Sequence, residues 1–451
     1  MDDQNVDAKY IQMTQTPVER LICRLAVPSI VSMLVTGIYN MADTFWIGKV
    51  GTSASGAVGV VFPMMAIIQA LGFFFGQGAG NHISRAMGER NYRRAEELAA
   101  AGFFSSLLCG AVVTVLGLLL SRPLTYFLGA TDTIYPYAVD YLRVILVGAP
   151  WMTASFVLNT MLRFQGNAFY GMIGLSAGGF LNIVLDPLFI FGLNMGITGA
   201  AVATILSQAV SFVVLLWQCN LAKTIRIRWK AFHPSASIFK DIVQGGLPSL
   251  LRQSIASVAT ICLNTAAKPF GDAAIAAMTI VNRITMLSNS AMIGFGQGFQ
   301  PVCGFNFGAQ LYDRVRKGFF FCVKVSGVVL LLLSVAEFAA APQLIALFQR
   351  SDPAVISIGA MALRCQCISL VLSCWIINSN MLLQTTGKVV RASLIGVARQ
   401  GLFLIPLVFL LPNWLGIWGI QIAQPLADVL TFLMAIPTTT HFLREMQMLQ
   451  A

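Results

Sequence analysis

Charge is what this chain has least of. Lys+Arg (29) and Asp+Glu (18) together make up 10% of 451 residues, where a soluble globular protein carries about 25%. With 57% of residues hydrophobic, the chain cannot cover itself with water-compatible surface, which excludes an ordinary soluble fold. Histidine is nearly missing: His82, His233 and His441 are too far apart for an HExxH zinc site. The nine cysteines show no paired CxxC spacing and fall mostly in apolar stretches, which argues for packing and against disulfides or zinc. No GxxxxGK[ST] run occurs, so no nucleotide-driven motor is built in. No polar module interleaves basic residues with stacking aromatics, so the net charge of +11 does not point to nucleic acid. Gly174-Leu-Ser176-Ala-Gly178 formally fits the hydrolase elbow GxSxG, but it sits in an apolar helical run with no histidine in the neighbouring spans. No enzyme and no cofactor are expected.

What the chain does have is long apolar runs. They fall near 22–46, 54–80, 96–120, 136–160, 171–193 and 199–219, then 243–267, 274–300, 318–341, 355–384, 393–411 and 417–440. Each is long enough, at 1.5 Å per residue, for a hydrocarbon core of about 30 Å. The expectation is an all-α polytopic membrane protein with twelve transmembrane helices. Residues 1–21 form a cytoplasmic segment without signal-peptide character, 22–219 a first lobe, 220–242 a basic cytoplasmic linker, 243–440 a second lobe and 441–451 a cytoplasmic tail. With the N-terminus inside, twenty Lys and Arg residues, Arg163 among them, fall on the inner side, against Lys49, Arg122, Lys268 and Arg350 outside. That bias places both termini in the cytoplasm and makes the net charge topological.

The two halves are copies. A shift of 220 residues aligns 28–94 with 248–314 without a gap, and 13 of 67 positions are identical, including Pro28/Pro248, Ser29/Ser249 and Gly76-Gln77-Gly78/Gly296-Gln297-Gly298. Gly196/Gly416 and Gly199/Gly419 keep the offset. Six spans per half is even, so the copies enter the membrane from the same side as a parallel repeat. This pattern suits a secondary transporter whose cavity lies between two rocking lobes better than it suits a channel.

Acids inside the spans are few: Asp43, Asp186, Glu337 and Asp428. A carboxylate there is costly unless paired or neutralised, which makes each a site candidate. Asp43, near the outer end of span 1, Asp186, about 22 Å up span 5, and Thr204, about 7 Å into span 6, share one depth. Tyr39 and Asn40 precede Asp43 by four and three residues, and Asn182 precedes Asp186 by four, so each set shares a helix face. Pro187 donates no backbone hydrogen bond to the Ile183 carbonyl, leaving an oxygen beside Asp186. Such a hard oxygen set suits a proton or a small cation such as Na+; the other reading is interhelical glue. The offset puts Leu263 opposite Asp43 and falls near Ile405 for Asp186, so an ion site would be confined to the first lobe. Glu337 reads as snorkelling at a span end, and Asp428 as a partner of Arg399. Gln253, Asn282, Arg283 and Asn378 either line a substrate cavity or join helices. Pro28 either kinks span 1 or lies within its first turn.

These residues resemble the multidrug and toxic compound extrusion (MATE) family, particularly its DinF-like branch and the MepA-like pumps. The resemblance rests on Pro28 with Asn40-Met-Ala-Asp43-Thr, on Ser84-Arg-Ala-Met-Gly88 with Tyr92, and on Leu181-Asn-Ile-Val-Leu-Asp186-Pro187. It implies a V-shaped pair of six-helix bundles in the bacterial inner membrane that export drugs in exchange for H+ or Na+. It also implies ion binding at Asp43, Asn182, Asp186 and Thr204, with Tyr39 and Pro28 in the coupling helix. Partners would be small amphipathic, often cationic substrates and membrane lipids, and the protein is expected to be a monomer. A lipid-linked oligosaccharide or polysaccharide flippase is the alternative; it would line its cavity with several cations, for which Arg143, Arg252, Arg283, Arg364 and Arg399 are the candidates.

Overall fold

The structure, a computed structural model, describes residues 3–222, 224–225, 227–233, 235–349 and 352–449. The side chains of residues 3–6, Asn40, Thr44, Thr52 and Ser55 lie outside that description, as do Lys223, Arg226 and Arg350. Every regular element among the described residues is helical. The first half comprises α1 (Val18–Gly48), α2 (Thr52–Gly88), α3 (Tyr92–Leu119), α4 (Tyr135–Phe164), α5 (Ala168–Pro187) and α6 (Gly196–Ala222). The second comprises α7 (Ala236–Ala267), α8 (Asp272–Gly308), α9 (Tyr312–Ala339), α10 (Pro353–Leu370, resumed as Ser373–Thr385), α11 (Val389–Val397, a π turn over Ala398–Leu404, then Ile405–Leu410) and α12 (Ile417–Met448). Each overlaps one expected apolar run. A short helix, Asp3–Gln15, precedes them.

Among the described residues, ten helical segments are long and apolar enough to cross a membrane. The two long helices outside that set, α7 and α8, carry Arg252, Gln253 and Asn264, and Asn282, Arg283 and Asn289, which dilute their hydropathy. They nonetheless hold the places of α1 and α2 in the repeat. Boundaries follow local chemistry: the Asn91 side chain accepts from Arg94 N–H to start α3, Ser235 from Ser237 N–H before α7, and Asp352 from Ala354 N–H before α10.

The duplication is written in the backbone as well. Left-handed positions recur at Gly51 and Gly271, Arg90 and Gln310, and Gly196 and Gly416, all 220 apart, and at Gly166 and Gly387, 221 apart.

The cores show how the lobes are arranged. One buried cluster is purely first-lobe (Ile47, Val61, Tyr141, Ile145, Ile190) and two are purely second-lobe (Leu263, Val281, Ile345, Leu363, Val408; and Met292, Leu330, Leu370, Met381). The largest cluster draws on both halves: Met13, Ile22, Ile83, Leu158, Ile242, Phe299, Phe319, Leu382 and Phe442. Its residues lie at the end that carries Arg85, Arg90, Arg94, Lys240, Arg314, Lys388 and Arg391, and that end holds both termini. The lobes therefore fuse at the basic end and have separate cores at the other, the geometry of a V.

Glycine makes the fusion close. A methyl group on Gly78 would lie 2.3 Å from the Ile242 carbonyl oxygen, on Gly88 2.2 Å from that of Phe305, on Gly298 2.5 Å from the Ala26 backbone, and on Gly308 2.1 Å from the Arg85 carbonyl. Gly78 and Gly298 are the duplicated Gly-Gln-Gly glycines, so α2 against α7 mirrors α8 against α1. Thr385 Oγ1 donates to Asn81 Oδ1 (2.9 Å) and Gln300 Nε2 to Gln77 Oε1 (3.4 Å) across the seam. The helix Asp3–Gln15 straps both lobes there: Lys9 Nζ donates to the Gly166 carbonyl (2.7 Å), and Asn306 Nδ2 to that of Met13 (3.1 Å).

Candidate functional site

Small residues bring α5 against α1 and α6. A methyl group on Gly179 would lie 2.7 Å from Val35 and 3.4 Å from the Tyr39 ring, and one on Gly178 would lie 2.7 Å from the Ser211 hydroxyl. Ser211 Oγ donates to the Gly174 carbonyl (2.6 Å). One and two turns beyond this contact, Asn182 (2% exposed) and Asp186 (0%) point into the bundle, and Asn182 Nδ2 donates to Asp186 Oδ1 (3.1 Å). Asp43 is buried on α1 and lies within electrostatic reach of Asp186. Thr204 is buried on α6 one turn before Gln208, whose Nε2 donates to the Tyr39 hydroxyl (3.5 Å). The structure thus gathers Tyr39, Asp43, Asn182 and Asp186 in one region, with Thr204 one turn along α6 from Gln208; the Asn40 side chain lies outside the described residues. Pro187 closes α5 and leads into a π turn, Leu188–Gly192, a backbone irregularity of the kind that often marks functional segments.

The pocket is short of partners. Asp43 Oδ1, Asn182 Oδ1, Asp186 Oδ2, Ser207 Oγ and Gln208 Oε1 are buried with no hydrogen-bond partner. No ion pair among the described residues involves either aspartate. Buried oxygens in this condition are stabilised by a proton or a hard cation, and the donor set suits both. Two pocket residues were missed by sequence reasoning: Gln208, readable only as one turn past Thr204, and Tyr141 of α4, fully buried and within reach of both carboxylates and Tyr39.

The second lobe solves the same problem differently. Asp428, fully buried, receives Arg399 Nε (2.7 Å) and Gln424 Nε2 (2.9 Å) on one oxygen, and Gln366 Nε2 (2.8 Å) and Ser369 Oγ (3.0 Å) on the other. Its carboxylate is neutralised and saturated. Glu337, read as snorkelling, instead turns inward: it is buried, bonded to the Ser288 hydroxyl and approached by Cys367 Sγ at 3.8 Å.

A family model described as MatE matches residues 28–188 and 248–410, the bulk of both halves. The chain belongs to the MatE family. Multidrug export protein MepA of Staphylococcus aureus (strain MRSA252) is 26% identical over 434 residues, 95% of each chain. "Crystal structure of MATE in complex with MaL6" matches with TM-score 0.93 and 28% identity over 97% of this chain and 99% of that one. "Outward-facing conformation of a multidrug resistance MATE family transporter of the MOP superfamily" matches with TM-score 0.92 and 28% identity over 97% and 98%.

On this MatE scaffold Pro28 lies inside α1, ten residues from its start, so its missing N–H falls in mid-helix and not in the first turn. Asn378 is fully buried within the second lobe, donating to Ser326 Oγ (3.1 Å) and the Cys374 carbonyl (2.7 Å). Through these bonds it joins α10 to α9. Gln253 and Asn282 are half-buried and Arg283 exposed. Arg143 reaches Ser121, Arg252 reaches Asn380, Arg364 reaches the Phe338 carbonyl and Arg399 pairs with Asp428. The first-lobe cavity is lined by Ser29, Ser32 and Thr36 of α1, Gln69 and Phe73 of α2, Phe156 and Asn159 of α4, Leu175 of α5, and Gln297 from the second lobe. None of those five arginines lines it. Arg163 does; it stands in the last turn of α4, at the basic end, and is 4% exposed.

Proposed function

We propose that this MatE protein is a secondary active multidrug exporter of the bacterial plasma membrane. It exchanges amphipathic, often cationic drugs for H+ or Na+, and its twelve spans alternate access by rocking the two lobes. The basic end, with both termini, faces the cytoplasm, so the described state is closed inward and open outward. Entry of the coupling ion loads the pocket of Asp43, Asn182, Asp186 and Thr204. Loading changes the charge at the outer part of α1, and Pro28 lets that helix change shape between pocket and seam. Pro187 serves the pocket by freeing a carbonyl. Gln253, Asn282 and Arg283 belong to the wall the drug passes.

The observation that carries this reading is the asymmetry between the lobes: two buried aspartates without a counter-cation in one, against a saturated aspartate–arginine pair in the other. A purely structural carboxylate gains from being saturated, as Asp428 is; a site that loads and unloads must keep oxygens free. The names of the relatives support multidrug export. A flippase for lipid-linked sugars would present several cations to its cavity, whereas Arg143, Arg252, Arg364 and Arg399 bond to groups of the protein itself. The test is dye efflux from everted vesicles under an imposed pH gradient, with and without sodium. Gradient-driven extrusion that disappears in Asp43→Asn and Asp186→Asn is the expected result; extrusion at the wild-type rate in both variants removes the coupling site.

A further inference from the structure

A second cavity lies at the basic end, away from the aspartates. Its volume is about 370 Å³, within the range of about 300–1,000 Å³ usual for small-molecule sites. Three elements wall it: the strap Asp3–Gln15 gives Lys9 and Gln12, the first turns of α1 give Arg24 and Pro28, and the turn into α5 gives residues 166–170. Its charge is all of one sign. Among the described residues no acid lies on this wall, and no ion pair includes Lys9 or Arg24. Lys9 Nζ spends one of its three donors on the Gly166 carbonyl (2.7 Å). Burial, and after it the Arg24 charge, pushes Lys9 down to about 8, as two cations with no acid between them should. α5 adds a third positive element. It starts without a side-chain cap, and its first turn forms part of the wall, so the positive end of its dipole meets the same space.

Above the cations the surface turns apolar. Arg20, Arg24, Val27 and Val31 fall on one side of α1 by helical spacing and are all exposed, and so is Phe169 on the α5 wall. A site that is cationic at the water end and apolar along the membrane matches one chemistry, an anionic head on acyl chains. We propose that this cavity holds the phosphate of an anionic phospholipid of the inner leaflet, between Lys9, Arg24 and the start of α5, with its chains along Val27, Val31 and Phe169. The leaflet, though not the site, rests on the orientation given under the exporter reading. The lipid also acts on the joint between the lobes. The strap that carries Lys9 is tied to the second lobe, Asn306 Nδ2 donating to the Met13 carbonyl (3.1 Å) and Arg314 Nη2 to that of Thr16 just beyond it. A phosphate shared by Lys9 and Arg24 therefore fastens the strap to α1 and favours the closed basic end.

The test titrates the full-length protein, purified in a neutral detergent, with phosphatidylglycerol or with phosphatidylcholine of the same acyl chains, and counts bound lipids by native mass spectrometry. One phosphatidylglycerol is expected to be retained in preference to phosphatidylcholine. Arg24→Gln, at an exposed position that leaves the hydrogen bonds of the strap in place, is expected to weaken that lipid about tenfold, the scale of one charge-assisted hydrogen bond. Lys9→Gln is expected to act in the same direction, and Arg24→Lys to keep most of the binding. Arg93→Gln removes an exposed charge elsewhere at the basic end and is expected to change nothing. Inorganic phosphate and glycerol phosphate at the same concentrations are expected not to displace the lipid. Equal retention of the two lipids, a loss in Arg93→Gln as large as that in Arg24→Gln, or displacement by free phosphate overturns the inference. No gradient enters this measurement, so a wild type that fails to export dye overturns only the exporter reading.

Discussion

In the first lobe Gln208 of α6 donates to Tyr39 beside two unpaired aspartates; 220 residues later the duplicated position is Asp428, held by Arg399. Arg399 itself falls, by the same offset, on the Gly178-Gly179 pair against which α1 and α6 pack. Two copies of one helical frame have thus taken opposite courses. One keeps a glycine where the other has a cation, and leaves its acids unsatisfied. The other fills the gap with arginine and completes every bond of its acid. The lesson is that a fold repeat fixes where helices meet, while single side chains decide whether the meeting point is a rigid joint or a loadable site.

The largest contrast should appear in activity. Asp43→Asn and Asp186→Asn are expected to abolish ion-driven dye extrusion with membrane expression intact, whereas Asp428→Asn retains part of it; vesicle efflux on the three variants side by side checks this. Stability should show the reverse. Arg399→Met, which strands Asp428, is expected to cost about 3–5 kcal/mol, and Arg399→Met with Asp428→Leu to regain most of it. Asp186→Asn should change thermal stability far less, and unfolding in detergent separates the cases. At the seam, Gly78→Val or Gly298→Val forces backbones apart for about 1–3 kcal/mol and should widen spin-label distances across the basic end, equally for either glycine if the copies are mechanically equivalent.

The smallest effect concerns equivalent turns. Gly166 carries Lys9 against it, while Gly387 carries Arg85. Burial, with the Arg24 charge second, pushes Lys9 down to about 8, from an ordinary value near 10.5. Between those values the unfolded chain holds the proton that the folded one has released, so stability rises as pH goes from 8 to 10.5 and the cost is fully present below 8. Lys9→Met should flatten that slope in a melting series over this range, and a mutation of Arg85 should not reproduce it.

Much of this was legible in the chain. Apolar runs gave the helices because a bilayer-length segment has few alternatives, and the repeated Gly-Gln-Gly revealed the duplication but not the seam that its glycines form. The acidic cluster was readable from four-residue spacing on α1 and α5. Tyr141 was not, since nothing along α4 distinguishes a core tyrosine from one facing a pocket. The burial of Arg163 was not readable, because counting charges near a turn says where the backbone is, not which way a long side chain folds back. Glu337 failed for a like reason: proximity to a helix end permits an outward reach, but Ser288 offers a better partner inward.

The seam has a mechanical corollary. At Gly78, where α2 meets α7, and at Gly298, where α8 meets α1, main chain lies directly on main chain, flanked by the apolar cluster of Ile83, Ile242 and Phe299 that both lobes share. On the exporter reading, parting the seam exposes the carbonyls that the glycines cover and separates the side chains of the shared cluster, so each opening costs both hydration and repacking. The glycines thus make the seam close without making it covalent or interdigitated at those two points, a joint that the exporter reading requires to open and re-form.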